Sequence, residues 1–195
     1  MTEHIEHLRA THRASRAALS KATLDSNARG LWQNVEAITS YQQATTVAAY
    51  ISIRGEIDVS GLIESGSASG KQFYLPVLQE DSMGFMAWTP GEPLVKKAFG
   101  LLEPDVSVSQ AIDVRELDVV LTPLVVFDDQ CNRIGQGGGF YDRTFAHRQM
   151  AKSGKPVLIG VAHESQRETR LTPQHWDIPL DVIATESHVY AQRTQ

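Results

Sequence analysis

Hydrophobic positions change their period along this chain, and the changes divide it into helices and strands. Near the start, Ile5, Leu8, His12, Ser15 and Leu19 fall on one face of a helix, while Arg9, Arg13 and Arg16 recur at i, i+4 and i+7. At about 100° per residue the arginine stripe lies roughly a quarter turn from the apolar one. The guanidiniums are therefore expected at the margin of the buried face. A second helix is predicted over residues 23–39, with Leu24, Ala28, Leu31, Trp32, Val35 and Ile38 as its apolar side.

The period then shifts. Residues 45–53 are rich in β-branched side chains and read as a strand running into a turn at Arg54, Gly55 and Glu56. Asp58 is placed to cap a helix through Ser69. A short strand at 72–75 is stopped by Pro76, a further one covers 83–88, and the Pro/Gly-rich stretch 89–104 reads as loop. Residues 117–126 are almost unbroken in apolarity, as in a central strand covered on both faces, and Asp128 and Asp129 mark its end. Helical spacing resumes over 141–152 through Phe145 and Met150; strands follow at 156–161 and, last, at 181–185. This alternation predicts an α/β fold, a three-layer α/β/α sandwich with a largely parallel central sheet, as one domain over residues 1–195.

Composition adds mainly exclusions. The apolar share of 42% and charged share of 21% are ordinary for a globular protein. A net charge of −5 argues against broad binding to nucleic acid, which needs a large basic field. Cys131 is the sole cysteine, so no intrachain disulfide is possible, which fits a reducing compartment. The charged N-terminus lacks the apolar core of a secretory signal, and no run approaches the roughly 20 apolar residues of a membrane span. A monomeric cytoplasmic protein with neither membrane nor nucleic-acid partner is expected.

The candidate chemistry is concentrated in Arg133-Ile134-Gly135-Gln136-Gly137-Gly138-Gly139-Phe140-Tyr141-Asp142-Arg143. Glycines let the main chain approach a ligand, and exposed N–H groups before a helix suit an anion. The stretch is neither a Walker loop, lacking its Lys-Ser/Thr, nor a dinucleotide fingerprint, because Phe140 occupies the place of the last glycine. On glycines alone, a surface turn with packed aromatics explains the run equally well. The attached aromatic pair, carboxylate and arginines favour a phosphate-handling site. Elsewhere, Trp88 and Trp176 read as core or rim packing, His163 as a neutral structural histidine, and Cys131 as a bystander.

The same residues resemble the signature of the 5-formyltetrahydrofolate cyclo-ligases, also called 5,10-methenyltetrahydrofolate synthetases. Other segments resemble the family in the expected order: Leu8-Arg9 with Arg13 and Arg16, residues 50–57, residues 71–76, residues 117–123 and residues 176–186. The resemblance implies ATP- and Mg²⁺-dependent ring closure, in which the N5-formyl oxygen is phosphorylated and N10 then displaces phosphate. It also implies roles. Arg9, Arg133, Ile134, Gly135, Gln136, Gly137, Gly138, Gly139, Phe140 and Tyr141 would bind ATP. Ile51, Glu56 and residues 136–140 would border 5-formyltetrahydrofolate, with Glu56 on the pterin's amino-pyrimidinone edge. Asp142 and Asp181 would hold Mg²⁺, and Arg133, Tyr141 and Asp142 would serve the chemistry.

Two departures matter: many members carry Lys where Gly138 stands, and another near Ile5. Their absence shifts phosphate binding onto Arg133, Arg143 and the Arg9 stripe, with Lys96 or Lys97 as stand-ins. Plain alternatives stay open for single residues: a solvated helix face for Arg9, a helix-start charge for Asp142, and turn residues at Asp181 and Glu56. For the whole chain they are a sugar-phosphate isomerase of similar architecture, or a folate- or nucleotide-binding protein without turnover.

Overall fold

The computed structural model describes residues 2–97, 100–105, 110–149 and 154–192. Along the chain run α1 (Thr2–Ala17), α2 (Lys21–Glu36), α3 (Thr39–Gln43), β1 (Thr46–Ala48) and α4 (Ser60–Ala68). There follow β2 (Gln72–Gln79), β3 (Ser82–Trp88), β4 (Leu94–Lys96), β5 (Leu102–Pro104), β6 (Val119–Pro123), β7 (Val126–Phe127) and β8 (Arg133–Ile134). The last elements among the described residues are α5 (Phe140–Thr144), β9 (Val157–Val161), β10 (Val182–Ala184) and β11 (Val189–Ala191).

Seven strands form the main sheet in the order β11-β10-β9-β6-β1-β2-β3. The pairs from β10 to β2 are parallel, and the edge strands β11 and β3 are antiparallel. Strand residues alternate between two apolar cores. Val47, Val119, Leu121, Ile159 and Val161 face one core with Leu31 and Val35 of α2 and Leu62 of α4. Ala48, Val120, Leu158 and Ile183 face the other with Phe127, Phe145 and Leu180. Burial on both faces is why residues 119–123 read as a continuous apolar run. The α/β layering and the largely parallel sheet are those expected from the sequence.

Boundaries differ for local reasons. The β-branched run at 45–53 yields only the short β1, and the chain beyond Ala48 leaves the ladder to reach the turn at Arg54 and Gly55. Strand β2 passes through Pro76: the β1 register ends at Tyr74, so the missing N–H faces no partner strand. The apolar run at 117–126 breaks after Pro123. The Leu124 and Val125 carbonyls accept from the Gln166 side-chain amide, each at 2.9 Å, and the chain turns out of the sheet into a β7–β8 hairpin. The presumed loop at 89–104 contains the β4–β5 hairpin, whose three-residue strands are too short to show alternation. The helix expected over 141–152 is only α5 followed by a 3₁₀ turn at Ala146–Gln149; residues 150–152 lie outside those described. Strand β10 is not the last, because Thr185 Oγ1 accepts from the Ser187 and His188 N–H groups and reverses the chain into β11.

The connectivity places the site. From β1 the chain moves to β2 on one side, whereas β6 lies on the other side of β1. Ligands in open α/β sheets settle where strand order reverses, beyond the strands' carboxyl ends. Here that crevice receives residues 50–56 after β1 and Pro123 at the end of β6. Gly160 of β9 supports the same region. A Cβ there would stand 2.4 Å from Leu180 Cδ1, so glycine lets the segment carrying Ile178 pack down on the sheet.

Candidate functional site

The segment after β1 is fixed by its own polar groups. The buried Tyr50 hydroxyl donates to the Ile57 carbonyl at 2.8 Å. Arg54 (φ 51°) and Gly55 (φ 74°) take the left-handed conformation, reversing the chain so that the Glu56 N–H reaches the Ile53 carbonyl at 2.9 Å. Glu56 Oε2 accepts from the Ile53 N–H at 3.2 Å, and Oε1 accepts from Gln136 Nε2 at 3.1 Å. Arg16 Nη2 stands 3.8 Å from Oε1, with the Arg16 side chain 3% exposed and that of Glu56 9% exposed. Burial raises the Glu56 pKa above its ordinary value, and the Arg16 charge pulls it back. Arg16 also donates to the Leu124 carbonyl at 3.4 Å, tying α1 to the turn out of β6.

The other wall starts from the β7–β8 hairpin. The buried Asp128 carboxylate accepts from the N–H groups of Gln130, Asn132 and Leu171, which shapes the turn that delivers Arg133. Arg133 Nη2 donates to Asp142 Oδ1 at 2.7 Å and Nη1 to the Ile178 carbonyl, and the Ile178 N–H donates to the same Asp142 oxygen at 3.1 Å. The Arg133 side chain is 6% exposed, so this pair is shielded from water on the arginine side. Between Ile134 and α5 the glycine loop turns through positive φ at Gly137 (104°) and Gly139 (66°). Two arginines of α1 hold it: Arg9 Nε donates to the Gly135 carbonyl at 2.9 Å, and Arg13 donates to Gln136 Oε1 at 3.0 Å and to its carbonyl at 2.8 Å. Arg9 and Arg13 thus lie at the margin of the buried face, as their phase predicts, whereas Arg16 is itself buried.

Both walls line one cleft of about 1250 Å³. Arg9, Ile51, Glu56, Arg133, Ile134, Gly135, Gln136, Gly137, Gly138, Gly139, Phe140, Tyr141 and Asp142 all border it. Tyr141 lies within electrostatic reach of both Glu56 and Arg133, and burial pushes its phenol above the usual range. Phe140 packs beneath the Arg143 guanidinium, 5.0 Å from its ring centroid.

Other candidate residues lie away from the cleft. Asp181 is not part of the cleft: its carboxylate accepts from Arg148 Nη2 at 2.8 and 2.9 Å and from the Leu158 N–H at 2.7 Å, which makes it a clamp between α5's extension and β9. The described residues contain no cluster of three or more His, Cys, Asp or Glu able to hold a metal. Lys96 and Lys97 do not reach the cleft, and Lys97 faces Asp105 at 3.9 Å. Helix α5, five residues long, carries little dipole, so positive charge at the loop comes from arginine side chains.

Several contributors carry no strong signal in the sequence. Local pattern marks Arg13 and Arg16 only as members of a stripe, and the bridge from Gln136 to Glu56 leaves no local trace. Pro76, Leu78 and Met83 from β2 and β3, with Leu101 and Leu102 from the β4–β5 hairpin, form an apolar part of the cleft. Trp176, 57% exposed, stands at its rim.

The sequence model of the 5-formyltetrahydrofolate cyclo-ligase family matches residues 1–186, which takes in both walls. The chain belongs to that family. A 5-formyltetrahydrofolate cyclo-ligase of Haemophilus influenzae is 36% identical over 182 residues, covering 92% of this chain and 96% of its own. One of Escherichia coli K12 is 42% identical over 150 residues, covering 75% and 81%. The solution structure of 5,10-methenyltetrahydrofolate synthetase from Aquifex aeolicus superposes with a TM-score of 0.82 at 27% identity, over 98% of this chain and 94% of that one.

Proposed function

We propose that the cleft closes the ring of 5-formyltetrahydrofolate to 5,10-methenyltetrahydrofolate, with ATP as phosphoryl donor. The observation that carries the reading is the 3.1 Å bond from Gln136 to Glu56. It joins the loop suited to a triphosphate directly to the carboxylate suited to a pterin edge, so the two substrates would meet across one residue. Phosphoryl transfer depends mainly on alignment and charge neutralisation and asks for no protein nucleophile.

The formyl oxygen attacks the γ-phosphorus, forming an O–P bond as the bond to ADP breaks. N10 then attacks the activated carbon, its proton is lost, and phosphate departs with the former formyl oxygen. Glu56, held by Arg16 and the Ile53 N–H, accepts from the pterin's amino-pyrimidinone edge. Arg133, oriented by Asp142 and the Ile178 carbonyl, neutralises phosphate charge. Arg9 and Arg13 each bear five N–H donors and retain some beyond those holding the loop carbonyls. Tyr141 closes the floor between the two substrates and excludes water.

Magnesium fits this wall through the Asp142 carboxylate. Both hydrogen bonds to Asp142 use Oδ1, so Oδ2 would hold the ion, and Mg²⁺ commonly takes one or two carboxylates with phosphate and water oxygens. Bound there it would offset the charge of the β- and γ-phosphates.

The test mixes protein, 5-formyltetrahydrofolate and Mg²⁺ with and without ATP and follows the absorbance of methenyltetrahydrofolate. Product formed only with ATP is the expected result. Binding without turnover would identify a folate- or nucleotide-binding protein instead, and turnover independent of ATP would contradict the phosphorylated intermediate.

A further inference from the structure

His163 follows β9, is fully buried, and has no part in the reaction derived above. Its Nε2 lies 3.1 Å from the Gly55 carbonyl, and its Nδ1 lies 2.9 Å from Asn27 Nδ2 on α2. A carbonyl can only accept, so Nε2 carries the proton; neutral Nδ1 is then an acceptor and the Asn27 amide donates to it. With the Asn27 amide in this orientation, protonating Nδ1 would set two donors face to face, and burial also lowers this histidine's pKa. The tautomer is thus fixed at both ends. Its Gly55 contact falls between the left-handed Arg54–Gly55 pair and Glu56, on the turn that presents the cleft carboxylate. The backbone is secured separately, the His163 N–H donating to Gln166 Oε1 at 2.9 Å.

We propose that His163 is a positioning residue: locked by Asn27, it holds the Gly55 carbonyl and so sets the orientation of Glu56 toward the folate. The inference rests on the folate reading of the Glu56 wall. It places a determinant of folate affinity outside the cleft, on the layer formed by α2 and the end of β9. The contact is also one of the surroundings that brace the turn in which Arg54, a non-glycine residue, keeps a positive φ.

Glutamine at 163 can place an amide N–H where Nε2 stands, whereas asparagine reaches only the Nδ1 position. His163→Asn, His163→Gln and His163→Leu are compared by steady-state kinetics with both substrates. Amide hydrogen exchange at residues 53–56 is measured in each. With loss of one hydrogen bond worth about 1.4 kcal/mol, His163→Asn and His163→Leu raise the folate KM about tenfold. The ATP KM is unchanged, exchange at the Glu56 amide accelerates, and His163→Gln restores both properties. If His163→Leu does not fold, the Asn and Gln pair decides.

A folded His163→Asn with wild-type folate KM and wild-type exchange overturns the proposal, as does equal elevation of both KM values. Failure of the folate reading looks different: the wild type then shows no ATP-dependent turnover, and exchange at residues 53–56 alone decides whether His163 braces the turn.

Discussion

At the Glu56 wall of the cleft, side chains from three separate elements converge on one turn: Arg16 from α1, Gln136 from the glycine loop, and His163 from the end of β9. At the 135–139 wall the order is reversed. A backbone loop with little side-chain bulk is held from outside by Arg9 and Arg13, and its anchor is the Arg133–Asp142 pair at its base. The first wall is a fixed, nearly dry carboxylate suited to reading one shape. The second is a set of adjustable cations suited to a charged ligand that arrives and leaves each turnover. Recognition by a buried hydrogen-bonded group tolerates little movement, whereas phosphate binding by arginines needs charge and reach.

Removing the anchor of the phosphate wall should break that division most severely. Arg133→Ala leaves Asp142 without its ion-pair partner and removes the shielded cation proposed to face the phosphates. The kcat/KM is expected to fall about 10²–10³-fold, the scale for one preorganised charge stabiliser, with the folate Kd by equilibrium titration little altered. A loss of folate binding as large as the loss of turnover would show that the two walls are not separable.

The opposite wall is probed by Glu56→Gln. The folate KM should rise about tenfold, as for a hydrogen bond to a charged group, while the ATP KM stays put. The pH profile sharpens the point. Burial raises the Glu56 pKa, so on acidification this carboxylate protonates before an ordinary one does, and the wild-type folate KM should climb through that range. In Glu56→Gln the same range should be flat. An identical acid limb in the variant would assign the titration elsewhere.

Smaller effects are expected at the loop itself. Gly139→Ala forces an alanine into positive φ and places its Cβ 2.7 Å from Arg143 Nη1. Strain of about 1–2 kcal/mol should lower Tm by a few degrees and raise the ATP KM severalfold, measured by calorimetry and kinetics. Arg13→Ala removes one tether that lies at the exposed edge of the loop. Its ATP KM should increase about two- to fivefold at low salt, and the difference from wild type should shrink as salt screens the wild-type charge.

How legible this was in the sequence follows from the range of each interaction. Periodicity reports burial, so the β6 and β9 strands, the α2 stripe and the alternation of layers could be read directly. The glycine-aromatic-acid run is contiguous, and its residues all border the cleft. Asp181 illustrates the opposite case. A carboxylate before a strand looks the same whether it faces a metal or Arg148, a partner 33 residues away. Arg16 and His163 act through partners at still greater separation, Glu56 and Gly55, and local pattern cannot rank them above any other arginine or buried histidine. The exit from β6 toward the β7–β8 hairpin is hidden inside one apolar run because it depends on Gln166, about 40 residues downstream.

The most direct test follows an oxygen atom. Protein is supplied with ATP, Mg²⁺ and 5-formyltetrahydrofolate carrying ¹⁸O in its formyl group, and the released inorganic phosphate is analysed by mass spectrometry. If the two walls bring the formyl oxygen to the γ-phosphorus, one ¹⁸O appears in phosphate for every methenyltetrahydrofolate formed. Unlabelled phosphate released alongside product would mean that ATP is cleaved by water and that the cleft does not join its two substrates.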